Sequence, residues 1–220
     1  MNHMPLRTLA AVASVRRPTQ RALAKQRTRE KILASAKNLF TEKGYEGATI
    51  RDIASAAGMS TGAVFASFTD KSDLFKEIIS ADREALYDAM GEAARKAGAG
   101  GASAEDALLA MFQVGYEFHL GDLPLLQATL AASWSPELGK QVRGRLDRRP
   151  VTDLIAEVLS AALGRGELRP VVDIALLSQM LWDCYLANFR HAAFDAWGAD
   201  ALKARLREQM SVILAGSRTG

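Results

Sequence analysis

One cysteine, Cys184, stands in 220 residues, so no intrachain disulfide can form. That usage fits a reducing compartment. Histidine is almost as scarce. His3, His119 and His191 lie far apart and, even with Cys184, give no metal-ligand spacing. No H-E-x-x-H or Walker loop occurs, so an enzyme built from scattered groups is a rival class that nothing in the pattern recommends. Apolar runs never approach the ~18 residues of a membrane span. The apolar residues 9–13 are too few for a signal-peptide core and lead straight into Arg16 and Arg17. These absences predict a soluble, cytoplasmic binding protein with no cofactor, no metal and no membrane contact.

What is present is ordinary in amount and uneven in placement. A hydrophobic content of 49% and a charged content of 24% suit a globular chain of one or two domains. Residues 1–31 carry Arg7, Arg16, Arg17, Arg21, Lys25, Arg27, Arg29 and Lys31 against Glu30 alone. The whole chain is only +3, so a basic end is attached to a mildly acidic body. Such asymmetry points to a polyanion at that end, and a solvated tail is an equal reading for residues 1–20 taken alone.

The periodicity is helical throughout and no strand-like alternation is found. Over residues 28–43, Ile32, Leu33, Ala36, Leu39 and Phe40 share one helical face, and Gly44 is placed to end it. Thr49 caps a helix over 50–57, a short run covers 61–68, and Asp70 opens a longer helix reaching 95. Residues 96–103 form a glycine-rich connector, for no strand precedes them and G-x-G-x-x-G is lacking. Ser103 and Asp106 make a capping-box pair. Asp122 with Pro124 and Ser135 with Pro136 open further helices, and Pro150 kinks or restarts the chain. Residues 164–166 end a helix before two last ones over 173–197 and 200–215.

Residues 53–71, IASAAGMSTGAVFASFTDK, hold two helices too short to be stable separately. Ala54 is small where a second helix must cross closely, and Gly58 stands where a tight turn favours positive φ. Ile53, Ala57 and Val64 supply a shared core. The pattern is a helix-turn-helix, whose second helix enters the major groove of DNA while caps and cations hold phosphates. The candidates for backbone contact are Arg27, Thr49, Arg51 and Lys71. Those on or near the base-reading face are Ser60, Thr61, Gly62, Ala63, Phe65, Ala66 and Ser67.

With Leu39-Phe40, Gly44-Tyr45, residues 49–54 (TIRDIA), Ala57-Gly58, Ser60-Thr61-Gly62, and Phe68 followed by Lys71-Ser72-Asp73-Leu74, residues 28–74 resemble the TetR family of bacterial transcriptional regulators. Many members carry an aromatic pair and a histidine on the third helix, where this chain has Phe65, Ala66 and Ser67. The resemblance implies an all-α protein in three parts. Residues 1–26 would be a basic, flexible extension, 27–72 a three-helix DNA-binding domain, and 73–220 a helical ligand-binding and dimerisation domain.

It further implies a repressor that is released from a palindromic double-stranded DNA operator by a small apolar or aromatic effector. A transcriptional activator or a helical interaction protein on the same fold is the alternative. The family's pocket would take Met111, Phe112, Tyr116, Trp134, Met180, Asp183 and Asn188 as lining. Its homodimer, formed by the last two helices, would use Trp182, Tyr185, Phe189, Leu202, Leu206, Met210 and Ile213. Intrachain core is the competing reading for both stripes. Cys184, mid-helix beside Trp182 and Tyr185, reads as an inert thiol rather than a redox sensor.

Overall fold

The computed structural model describes residues 19–81, 83–136, 138–140 and 150–217. Among them are ten α-helices and no β-strand. In chain order they are α1 Gln20–Gly47, α2 Ile50–Ala56, α3 Thr61–Phe65, α4 Lys71–Ala81 and α5 Arg83–Ala99. Then come α6 Ala104–Leu120, α7 Leu123–Trp134, α8 Val151–Gly164, α9 Ile174–Asp195 and α10 Ala199–Ala215.

Local chemistry sets most of these limits. Thr19 caps α1 by accepting from the Ala22 amide at 3.2 Å. Within α1 the backbone leaves helical geometry at Gly44 (φ 71°, ψ 173°), a conformation that costs glycine little. The Ser103 hydroxyl accepts from the Asp106 amide at 3.2 Å and donates to its carboxylate at 2.9 Å. Asp122 accepts from the Leu125 amide at 3.3 Å, with Pro124 in the first turn of α7.

Two cores result. The first gathers Ile32, Ala36 and Phe40 of α1, Ile53 of α2, Val64 of α3, Phe68, and Leu74, Phe75 and Ile78 of α4. Phe75 meets Phe40 edge-on at 5.1 Å, and Tyr45 packs on both rings at 5.7 and 5.0 Å. Each large apolar side chain fully buried there stabilises the fold by about 1.5–3 kcal/mol. Ala128 and Ala132 of α7 and Leu138 belong to this core as well.

The second core lies among α5, α6, α8, α9 and α10 and is rich in aromatics. Tyr185 is its hub, with ring centroids 4.9 Å from Phe112, 4.6 Å from Tyr116, 5.1 Å from Trp182 and 5.2 Å from Phe189. Gly115 is required here, because a Cβ at that position would overlap the Tyr185 hydroxyl.

Two expectations change. Residues 20–26, expected in a flexible extension, are the opening turns of α1, while residues 1–18 lie outside the described residues. The first core does not stop at 72, since α4 supplies three of its buried side chains. The long helix expected from Asp70 is present as α4 and α5, on either side of Asp82, which also lies outside the described residues. Position 137 and residues 141–149, where the helix opened by Ser135-Pro136 was expected, are outside them too, and α8 follows directly from Pro150.

His119 ends α6 with its ring against Phe118 and Phe189, and burial pushes its pKa down to about 4. In the unfolded chain the ring titrates near 6.5, so as pH falls the unfolded state takes up the proton first. Stability from this group is complete above pH 6.5 and is lost as pH falls toward 4, by about 3 kcal/mol at most. Urea titrations across that window should show the loss in the wild type and a flatter profile in His119→Leu.

Candidate nucleic-acid interface

The two short helices stand as one unit because each end is tied down. Thr49 Oγ1 accepts from the Asp52 amide at 3.1 Å and donates to its carboxylate at 2.8 Å, which holds the Asp52 pKa below its ordinary value. Gly58 takes φ 64° in the turn, and the Met59 amide reaches back to the Ala54 carbonyl at 2.9 Å. Ser60 then caps α3 through the Ala63 amide at 3.2 Å. Ile53, Ala54, Ala57 and Val64 are buried beneath the turn.

That packing leaves one face of α3 in solvent. Ser60, Thr61, Gly62, Phe65 and Ala66 are exposed, and Ala63 and Ser67 are half-buried. Phe65 is 56% exposed, a large apolar ring with no intrachain use for most of its surface. Arg27, Thr49 and Arg51 are exposed around the same unit. Lys71 is placed differently. Its ammonium donates to the Tyr45 carbonyl at 2.9 Å and sits 4.2 Å from that ring's centroid, so it is already held at the exit of α1.

Sequence reasoning passed over Arg29, which reaches from α1 to Glu77 of α4 and to the Ser67 carbonyl. A signal for it existed. Arg29 is three residues before Ile32 and seven before Ala36, and a cation in line with an apolar stripe needs a partner.

In the C-terminal region the predicted pocket residues separate into two groups. Met111, Phe112, Tyr116 and Asn188 are buried together in the second core. The Asn188 amide donates to the Tyr116 hydroxyl at 3.2 Å and exchanges hydrogen bonds with Gln209 at 2.9 and 3.2 Å. Trp134 is instead 81% exposed at the end of α7. Asp183 is exposed and accepts from Gln179 at 2.8 Å, and Met180 faces outward. These three do not line the core.

Most of the predicted dimer stripe is also displaced. Tyr185, Phe189, Leu202, Leu206 and Met210 are buried inside their own chain, and Trp182 stacks on Tyr185, so these faces are spent on the intrachain core. Ile213, half-buried like Trp182, extends to the outer side. There it lines a shallow groove of about 430 Å³ with Met180, Cys184, Arg205, Glu208, Gln209 and Val212. Val212 is 77% and Leu176 57% exposed on the same two helices. Burial and Asp183 push the Cys184 thiol above its ordinary pKa, the opposite of an activated thiolate.

The model for bacterial regulatory proteins of the tetR family matches residues 32–78, which are the helices of this unit and the start of α4. Over residues 32–78 the chain is similar to the TetR family.

It is 40% identical over 65 residues to the transcriptional repressor AcnR of Corynebacterium glutamicum, covering 30% of this chain and 35% of that protein. The match therefore spans only about a third of that relative's length. Over nearly the whole chain it is 25% identical to the transcriptional repressor KstR2 of Rhodococcus jostii, covering 90% of this chain and 95% of that one. Among solved structures it resembles FadR, a TetR-family repressor of Thermus thermophilus in complex with lauroyl-CoA. That likeness has a TM-score of 0.63 and 26% identity, over 86% of this chain and 94% of the other.

Replacing the Thr49 cap should lower stability without altering the core. Thr49→Ala is expected to cost about 1 kcal/mol in urea unfolding and Thr49→Ser much less. Equal losses in both variants would mean that the hydroxyl is not what holds α2.

Proposed function

We propose that this protein is a homodimeric transcriptional repressor that binds a double-stranded DNA operator and releases it when an apolar effector enters the C-terminal core. It works by binding rather than by catalysis, and it acts in the cytoplasm. The observation that carries the reading is the exposed face of α3, with small residues at Gly62, Ala63 and Ala66 on a helix held by two caps and a positive-φ turn. Small side chains let backbone approach the major groove, and Ser60, Thr61 and Ser67 offer hydroxyls to bases or phosphates. Arg27, Arg51 and the basic residues before them supply salt-sensitive backbone affinity.

The lauroyl-CoA bound by FadR supports an acyl chain as the apolar part of the effector. A core of Met111, Phe112, Tyr116 and Tyr185 would accept such a chain only by repacking, with the Tyr116–Asn188–Gln209 bonds yielding or turning to the ligand. An effector that binds the repacked state better than the DNA-competent one lowers operator affinity by that difference. No described helix is long and apolar enough to cross a membrane.

The operator assay is a titration of labelled duplex from the DNA flanking the protein's own gene against a scrambled duplex, at two salt concentrations. Tight, steeply salt-dependent binding of the native duplex alone is expected, and its release by lauroyl-CoA but not by free CoA. Equal binding of both duplexes would reduce the interaction to charge, and no binding at low salt would favour an interaction protein on this fold. For assembly, the outer groove of α9 and α10 is the expected face between copies. Val212→Glu should shift the protein toward monomer in sedimentation while leaving its helical content intact, because Val212 has no role in the intrachain core.

A further inference from the structure

Helix α3 has five residues, too few to hold its own orientation. Its caps fix where it begins, and something else must fix the angle at which it leaves. The Ser67 carbonyl lies just past its end, where helix carbonyls lose their intrahelical partners. That carbonyl accepts from Arg29 Nη1 at 2.6 Å. The same guanidinium makes a two-pronged ion pair with Glu77 of α4, Nε to Oε1 at 3.1 Å and Nη2 to Oε2. Its central carbon also lies 4.1 Å from the centroid of the Phe68 ring. The Arg29 and Glu77 side chains are 36% and 32% exposed, so the pair is screened less than one in open solvent.

We propose that Arg29 is a positioning residue for DNA recognition. One planar group on α1 grips the exit of α3 and a carboxylate on α4, and so sets the angle of the reading face against the helix that leads to the effector domain. Its hydrogen-bonding groups are turned inward to Ser67 and Glu77, so its effect on DNA passes through α3. Lysine would keep the charge but not the fork, because one ammonium cannot reproduce the bidentate pair, the carbonyl bond and the ring stacking together. The consequence for operator affinity rests on the repressor reading. The hold on α3 does not, and can be measured without DNA.

The test uses the full chain as wild type, Arg29→Lys and Glu77→Gln, followed by amide hydrogen exchange and by the two-salt operator titration. In Arg29→Lys the amides of residues 62–68 should exchange roughly tenfold faster or more while those of α6 and α9 stay unchanged. Glu77→Gln, which removes only the α4 arm, should show a smaller rise at the same amides. Operator affinity should fall roughly tenfold with the salt slope unchanged, since no phosphate contact is lost. Unchanged exchange at 62–68, or a rise spread evenly over the chain, overturns the proposal. So does a salt slope shallower by about one, which would make Arg29 a direct phosphate contact. A wild type that fails to separate native from scrambled duplex sinks the repressor reading instead, and exchange still decides the role of Arg29.

Discussion

Ala128 and Ala132 stand on α7, deep in the C-terminal half, yet they are buried with the side chains of the helix-turn-helix unit. On the same helix Leu126 is buried in the second core, and Leu123 and Leu130 pack against it. A helix with apolar residues on both sides has to be shared, and this sharing is the constraint on which the rest of the molecule depends. The first core is closed by alanines because α1 must approach α7 closely. Outside the apolar contact, Asp122 at the start of α7 accepts from Thr41 of α1 at 3.3 Å and pairs with Lys37 at 3.5 Å. The helix-turn-helix unit therefore cannot shift as a block without disturbing a helix that also belongs to the second core.

The chain crosses between the cores a second time along α4 and α5. Leu74, Phe75 and Ile78 face the first core, and Tyr87, Met90 and Ala94 the second. With α7 and α4 both anchored on α1, and Arg29 joining α1 to α4 and to the end of α3, the exposed face of α3 is referred to the second core by packing and by directed hydrogen bonds. Packing transmits displacement because close-packed interiors resist small deformations. The directed bonds determine which way the short helix turns.

The C-terminal core has a different character. Its aromatic cluster holds a polar set, buried Tyr116 and Asn188 with half-buried Gln209, joined by hydrogen bonds. Polar groups buried in this way cost little while paired and a good deal when parted. The hydroxyl of Tyr185, buried beside Gly115, has no hydrogen-bond partner among the described residues.

The sequence by itself determined most of what depends on near neighbours, though not the Thr19 cap that opens α1. Helix starts at Thr49, Ser103 and Asp122, the break at Gly44 and the positive-φ turn at Gly58 were all legible, because a cap or a turn is completed within a few residues. The helix-turn-helix was legible for the same reason, its elements being ordered over fewer than thirty residues. What the sequence did not determine was which of two apolar stripes on one helix faces inward. On α9 and α10 the richest stripes, through Tyr185, Phe189, Leu206 and Met210, fit an intrachain core and, by the family resemblance, an interface between chains equally well as patterns. The tertiary structure buries them, and the sparser stripe of Leu176, Met180 and Val212 is left outside. Periodicity reports that a face is apolar but not what covers it. Only the packing of α6 and α8 against these helices decides that, just as only the arrival of α4 beside α1 gives Arg29 its partner.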